Sequence, residues 1–264
     1  MATIRSIPEI YDVAQLAVLA GLARSLKVGR YVLKGGANLR FFFASPRSSE
    51  DLDFDVLGIA DWRLADHVEK ALRAAVVGLV LRSHDLSIIR TASQKQTPTT
   101  QRWIIEVKAP GHRLPISTAL EFSHRIESRG ASEDARAVSR ADPIDAPIAG
   151  RYGVPPIVIP HYLPAAAIAQ KIVALAARAT NQPRDVFDLD LLLGHYRGEA
   201  PTKGQVDPGL ARQAADRATE LGYEAFRDAV LPFVDLELRP FYEQPAAWSA
   251  MQDRVITYLL ELSG

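Results

Sequence analysis

Residues 31–56, YVLKGGANLRFFFASPRSSEDLDFDV, decide how this chain is read. Tyr31 to Leu33 reads as a short buried strand. Gly35-Gly36 breaks it, and Ala37 to Phe43 then carries helix-competent apolar residues. Pro46 stops the helix, and the alternation resuming over Asp51 to Leu57 predicts a second strand. On such a strand Asp51, Asp53 and Asp55 share one face, with Leu52, Phe54 and Val56 on the other. Next-but-one carboxylates stand roughly 6 to 7 Å apart, close enough to repel one another or to favour a bound cation. Magnesium suits such a pair, because it takes one or two carboxylates and completes its shell with water and phosphate oxygens. The same alternation also describes an amphipathic strand with its acids in solvent, and DLDFD alone does not choose between the two.

The glycines add to the first reading. Gly35-Gly36 permits a tight turn and a close approach to a ligand, and the helix that follows would aim free N–H groups at an anion; an ordinary strand-to-helix turn uses glycine as well. Arg47, Ser48 and Ser49 lie between the glycines and the acids, where a phosphate would need donors. Between Asp12 and Glu50 there is no acid, whereas Arg24, Lys27, Arg30, Lys34, Arg40 and Arg47 all fall there. A positive stretch beside an acid cluster points to phosphate and metal at one place, although Arg24, Lys27 and Arg30 alone read as a solvated face. Phosphoryl chemistry with two metals often recruits a further carboxylate. Glu121 is preferred, because in TALEFSHR it shares a polar face with Ser123 and Arg125 while Leu120 and Phe122 face inward. Glu106, on a face with Ile104 and Lys108, reads as a rim residue.

Working outward, Ser6-Ile7-Pro8-Glu9 has capping-box spacing. The helix it predicts carries the apolar stripe Val13, Leu16, Ala17 and Ala20 and ends by Gly29. One further helix is expected over Asp61 to Val77, closed by Gly78. Strands at roughly 84–91, 101–108 and 118–125 would form an antiparallel meander, giving with the first two a mixed sheet of about five strands. Residues 126–156 lack a sustained period and read as a connector, with a short strand at Ile157 to Ile159 ending at Pro160. From Pro164 the pattern is helical, at 165–179, 184–196, 210–221, 223–230 and 246–262. The fold class is therefore α+β, with a sheet domain over residues 1–150 (core 31–125) and a helical domain over 151–264. On the later helices Lys171 shares a face with Arg178, and Asp185 stands nearly one turn before Asp188. A surface ion pair accounts for such residues as readily as a site does.

Composition narrows the function classes. The chain has 264 residues, 48% of them hydrophobic, and no cysteine, which excludes disulfides and thiolate metal sites. Its histidines are scattered, so a zinc site is not expected. With 31 basic and 31 acidic residues, it does not resemble a protein that coats nucleic acid non-specifically. No apolar run approaches a membrane span and no signal-peptide layout opens the chain, so a cytoplasmic protein without a membrane partner is expected.

LKGGANLRFF, RSSEDLDFD, LEFSHR, QKIVALAAR and PRDVFDLDLLL, in that order and spacing, resemble the AbiEii/AbiGii-type nucleotidyltransferase toxins of bacterial toxin-antitoxin systems. These belong to the wider DNA polymerase beta-like superfamily. The likeness spans roughly Tyr31 to Leu193 and implies a polymerase beta-like nucleotidyltransferase domain followed by a helical C-terminal domain. It implies that Gly35 and Gly36 border the triphosphate and that Asp51 and Asp53 bind magnesium with Glu121 as third carboxylate; Arg47 and Ser49 are read as nucleotide donors from their place between the glycines and the acids. Lys171 would match the family's phosphate-holding lysine, and Asp185 or Asp188 the acid of its RDxxD segment. The second glycine stands where the superfamily often has serine, and the third acid is glutamate instead of aspartate. The implied activity is magnesium-dependent transfer of NMP from an NTP to RNA, a tRNA 3' end, with a cognate antitoxin as partner. Transfer to a small molecule or protein, or a catalytically silent binding module of the same fold, are the alternatives. The residues do not choose among ATP, CTP, GTP and UTP, and the role of Asp55 is open.

Overall fold

The capping box forms as the sequence predicts. The Glu9 backbone N–H donates to Ser6 Oγ at 3.4 Å and the Ser6 N–H donates to the Glu9 carboxylate at 2.8 Å, opening helix α1 (Ile7–Ser25). The chain is seen here as a computed structural model, which describes residues 5–128 and 132–264. It divides into two compact units: one runs to Ala44 and resumes over Ser48–Tyr162, and the other joins Ser45–Arg47 to Leu163–Gly264.

The first unit is built on a seven-stranded mixed sheet. Its strands are β1 (Tyr31–Lys34), β2 (Asp51–Val56), β3 (Ser87–Thr97), β4 (Thr100–Lys108), β5 (Ile116–Ser123), β6 (Ser139–Pro143) and β7 (Val158–Tyr162), in the order β3-β4-β5-β2-β1-β7-β6. β2 is antiparallel to β1 and parallel to β5, β7 is parallel to β1, and the remaining pairs are antiparallel. The meander β3-β4-β5 has the expected order, but β3 starts at Ser87 and runs to Thr97, past the expected 84–91, with a tight turn at Thr97–Thr100. The sheet has seven strands instead of about five because part of the expected connector pairs into it as β6, and because β7 continues past Pro160 to Tyr162. Proline is tolerated there since β7 meets β1 at the single register pair Leu33↔His161, while Pro160 stands opposite Ala141 of β6. The sheet unit therefore extends beyond the boundary at 150/151 drawn from composition. Residues 129–131 of the expected connector lie outside the described residues.

The unit's other helices are α2 (Gly35–Phe42), α3 (Asp61–Leu72), α4 (Ala75–Arg82) and the short α5 (Arg125–Ser128), α6 (Ser132–Ala137) and α7 (Ala146–Arg151). The segment expected as one helix over 61–77 is broken at residues 73–74, where Ala74 is extended (φ −62°, ψ 138°), and Gly78 lies inside α4. The break lets Leu64, Val68 and Ala71 of α3 and Val76, Val77 and Val80 of α4 both reach the core around α1. Because α1 meets these helices as well as the sheet, every residue from Ile10 to Leu22 is buried, not only the expected stripe. Two polar residues inside it are partnered through one side-chain atom each, Asp12 Oδ2 and Gln15 Nε2. Asp12 takes Arg40 at 2.6 Å and the Tyr152 hydroxyl at 2.9 Å, and Gln15 Nε2 donates to Ser49 O at 2.8 Å. Burial raises the Asp12 carboxyl above its ordinary range, with Arg40 pulling the other way.

The second unit is helical: α8 (Pro164–Ala177), α9 (Pro183–Tyr196), α10 (Pro208–Thr219), α11 (Tyr223–Ala229), α12 (Arg239–Tyr242) and α13 (Pro245–Ser263). Its core includes the stacked rings of Phe187, Phe226 and Trp248, with Phe226 and Trp248 centroids 4.7 Å apart. Ser45–Arg47 joins it through a bridge between Arg47 and Val234 and through the Asp235 N–H donating to Pro46 O at 2.8 Å. Among the described residues no helix is long and apolar enough to cross a membrane.

Candidate active site

The register of the first unit's sheet brings the predicted acids together from separate strands. Lys34 pairs with Asp53, Asp53 with Glu121, and Glu121 with Arg102, so one transverse row crosses β1, β2, β5 and β4. Directly opposed residues share a face. The row therefore lies on the side of the sheet that also bears Asp51 and Asp55, while Leu52, Phe54, Leu120 and Phe122 fill the other. Glu121 lies in this row, and Glu106 does not. Glu106 pairs with Ser117 and Arg90, away from the row, and meets the Arg90 guanidinium at 3.1 Å.

The three strand aspartates differ in their surroundings. Asp51 and Asp53 are half-buried, and Asp51 Oδ1 accepts from the Ala119 N–H at 3.3 Å. Asp55 is buried and both its oxygens are engaged, Oδ1 by Lys34 Nζ at 2.6 Å and Oδ2 by the Tyr162 hydroxyl at 2.8 Å. Its surroundings make Asp55 a brace between β1, β2 and β7. Burial, with Asp55 adding to it, pushes the Tyr162 phenol well above its ordinary range. Tyr11 is raised to about 12 by burial first and then by Glu50 and Asp51, which marks the negative potential around the entry to β2.

Gly35 begins α2 with φ +70°, a conformation that favours glycine, and a Cβ there would stand 2.9 Å from Asp53 Oδ2. The glycine turn and the acid strand therefore touch, as a phosphate-and-metal site requires. Gly36 follows in the first turn of α2, whose N-cap, Lys34, makes no side-chain cap. Glu121 accepts from Arg102 Nε at 2.8 Å. Among the described residues no three acidic or histidine side chains gather closely enough to form a metal cage. Asp51 and Asp53 still fit a magnesium ion that draws its other ligands from water and substrate.

Lys171, Asp185 and Asp188 come together in the second unit. Lys171 Nζ, almost fully buried, lies 3.0 Å from Asp185 Oδ1 and 2.6 Å from Asp188 Oδ2. Arg178 Nε meets Asp185 at 2.9 Å, and Arg47 NH2 spans both Asp188 oxygens at 3.1 and 3.0 Å. Burial works to raise Asp188, but Arg47 and Lys171 together hold it below the ordinary carboxylate range. Arg47 is thus buried against an aspartate and not presented by an open loop. Ser49 Oγ donates to the Asp51 carbonyl at 3.0 Å, fixing the start of β2. Sequence reasoning passed over Arg102 and Tyr162. The alternation of β4 shows Arg102 on the face of Ile104 and Glu106, but only the register sets it beside Glu121.

Residues 17–261 match the family described as Nucleotidyl transferase AbiEii toxin, Type IV TA system. The fold is similar to that of JHP933 from Helicobacter pylori, at 18% identity and a TM-score of 0.57 over 97% of this chain and 95% of that one. A second H. pylori structure, provisionally described as a nucleotidyltransferase, gives the same identity and TM-score over 99% of this chain and 100% of its own. No curated protein matches by sequence. With a family match over nearly its whole length, the chain belongs to the AbiEii nucleotidyl transferase toxins of type IV toxin-antitoxin systems.

Proposed function

We propose that this nucleotidyltransferase is magnesium-dependent and moves NMP from an NTP onto the 3' end of a tRNA. The acceptor hydroxyl forms a new bond to the α-phosphorus as the bond to pyrophosphate breaks. The observation that carries the reading is the contact of the Gly35 turn with Asp53, beside Asp51 and in register with Glu121. Bound at Asp51 and Asp53, magnesium would neutralise charge on the phosphates. Gly35 and Gly36 let the backbone approach the triphosphate, where the α2 N–H groups meet its charge. Arg102 orients Glu121, and Lys34 and Tyr162 hold β2 through Asp55. Lys171 is assigned to nucleotide phosphate, as the resemblance implies, with Asp185 and Asp188 aligning it. Arg47 and Ser49 are positioning residues in this reading, since Asp188 engages the one and the Asp51 carbonyl the other. Family membership implies an NTP and an antitoxin, and the tRNA acceptor follows the resemblance stated above.

Incubating the protein with magnesium, total tRNA and each α-labelled NTP in turn tests this. Label in tRNA from at least one nucleotide, with pyrophosphate released, is the expected result. Label confined to protein or small-molecule fractions overturns the acceptor, and no transfer with any nucleotide overturns the reaction.

A further inference from the structure

At the end of the β1–β2 pair remote from Gly35 and Asp53 lies a cavity of about 310 Å³ whose walls include Ser25, Lys27, Arg30, Gly58, Arg63 and His67. Among the described residues, none that lines it is acidic. Lys27, Arg30 and Arg63 are exposed, and Arg30 NH1 donates to Gly58 O at 2.8 Å, which spends one of five guanidinium donors and fixes the group at the wall. His67 is held from behind, its carbonyl accepting from Ser25 Oγ at 2.8 Å. Next to the cavity the Arg63 guanidinium sits 4.9 Å from the ring centre of Trp62, a residue left 64% exposed.

Helix electrostatics accounts for only part of this group. Lys27 follows the C-terminus of α1, where a cation is favourable, but Arg63 lies in the first turn of α3, where the helix field opposes it. Arg30 belongs to neither helix. Like charges around one concavity repel each other unless an anion joins them, and a guanidinium on an exposed indole is a surface on which a base stacks. Gly58 is five residues along the chain from Asp53, two past the end of β2, so it lies at most about 17 Å away at ~3.3 Å per residue.

We propose that this pocket grips a backbone phosphate of the RNA acceptor, with Trp62 offered to an adjacent base, at a fixed distance from Asp51 and Asp53. The proposal rests on the RNA-acceptor reading above. Its test uses the full chain and K27E/R63E, two exposed positions whose reversal leaves the core untouched, with a melting curve to verify folding. Affinity for tRNA is measured across a salt series, affinity for NTP alongside it, and NMP transfer by the wild type in parallel. The variant is expected to bind tRNA at least ~10-fold more weakly with a salt slope shallower by about two, its NTP affinity unchanged; K27R/R63K restores tRNA binding. Unchanged tRNA affinity and slope in K27E/R63E, while the wild type still labels tRNA, removes the pocket and leaves the reaction standing. An equal loss of NTP affinity assigns the pocket to nucleotide and overturns the proposal. A wild type that neither binds nor labels tRNA takes down the RNA reading and this proposal with it.

Discussion

Asp51, Asp53 and Glu121 lie half-exposed on the sheet of the first unit, whereas Asp185 and Asp188 of the second are fully buried and closed on Lys171, Arg47 and Arg178. The residue types match but the settings differ. On the sheet, carboxylates are left within reach of water and ligand, so their value lies in what they bind. In the helical unit both carboxylates, with Lys171 and Arg47, have been stripped of water and are tolerable only because their partners stay in place. Such a cluster adds little net stability over an apolar packing, yet losing one member strands the others. The acids of the first unit are therefore expected to govern turnover, and those of the second the integrity of the unit.

The sharpest way to break this contrast is Asp53→Ala, expected to lower NMP transfer on the order of 10³-fold with the urea midpoint nearly unmoved; a folding defect of similar weight would erase the distinction. Asp188→Ala should do the reverse in stability, costing about 3–5 kcal/mol in urea unfolding because Arg47 and Lys171 lose their counter-charge. A pH series sharpens the same point. Asp188 has a depressed folded pKa, so its contribution is present above the unfolded value of about 3.9 and is lost as pH falls through the lower folded one. Asp188→Asn should lack that portion of the acid transition, and an unchanged acid slope would refute the assignment. Gly35→Ala should cost about 1–3 kcal/mol through its positive φ and the clash with Asp53, with activity falling alongside. Least affected should be Glu106→Gln, within about 0.5 kcal/mol and with near-normal transfer; a large activity loss there would restore Glu106 as a candidate third acid.

Much of this was legible from residues 31–56 and from Ser6–Glu9. The period-2 alternation of DLDFDV, the glycine pair and the capping box are local signals, and local signals give β1, α2, β2 and the start of α1 almost to the residue. The longer helices of the second unit follow for the same reason, whereas the four-residue α12 was not expected. β6 was illegible because SRADP carries two charges and a proline with no alternation, as suits an edge strand. β7 was cut short at Pro160, whose missing N–H reads as a stop until its neighbours are known. The separate surroundings of Asp51, Asp53 and Asp55 could not be read either: identical spacing gives them one face, and only Lys34 and Tyr162, from other strands, make Asp55 a brace. Arg47 read as a loop donor because its partner lies 141 residues away.

The place of β7 carries a consequence for synthesis. The strand bearing Gly35's neighbours is flanked on one side by residues 158–162, and Asp55 is tied by the hydroxyl of Tyr162. A ribosome making this chain has emitted the glycines and acids long before the segment that completes their sheet. Contacts of such long sequence separation form late, and chains released before residue 162 would carry the acid motif without its finished scaffold. For a member of a toxin family, chains cut short of that point are expected to lack transfer activity.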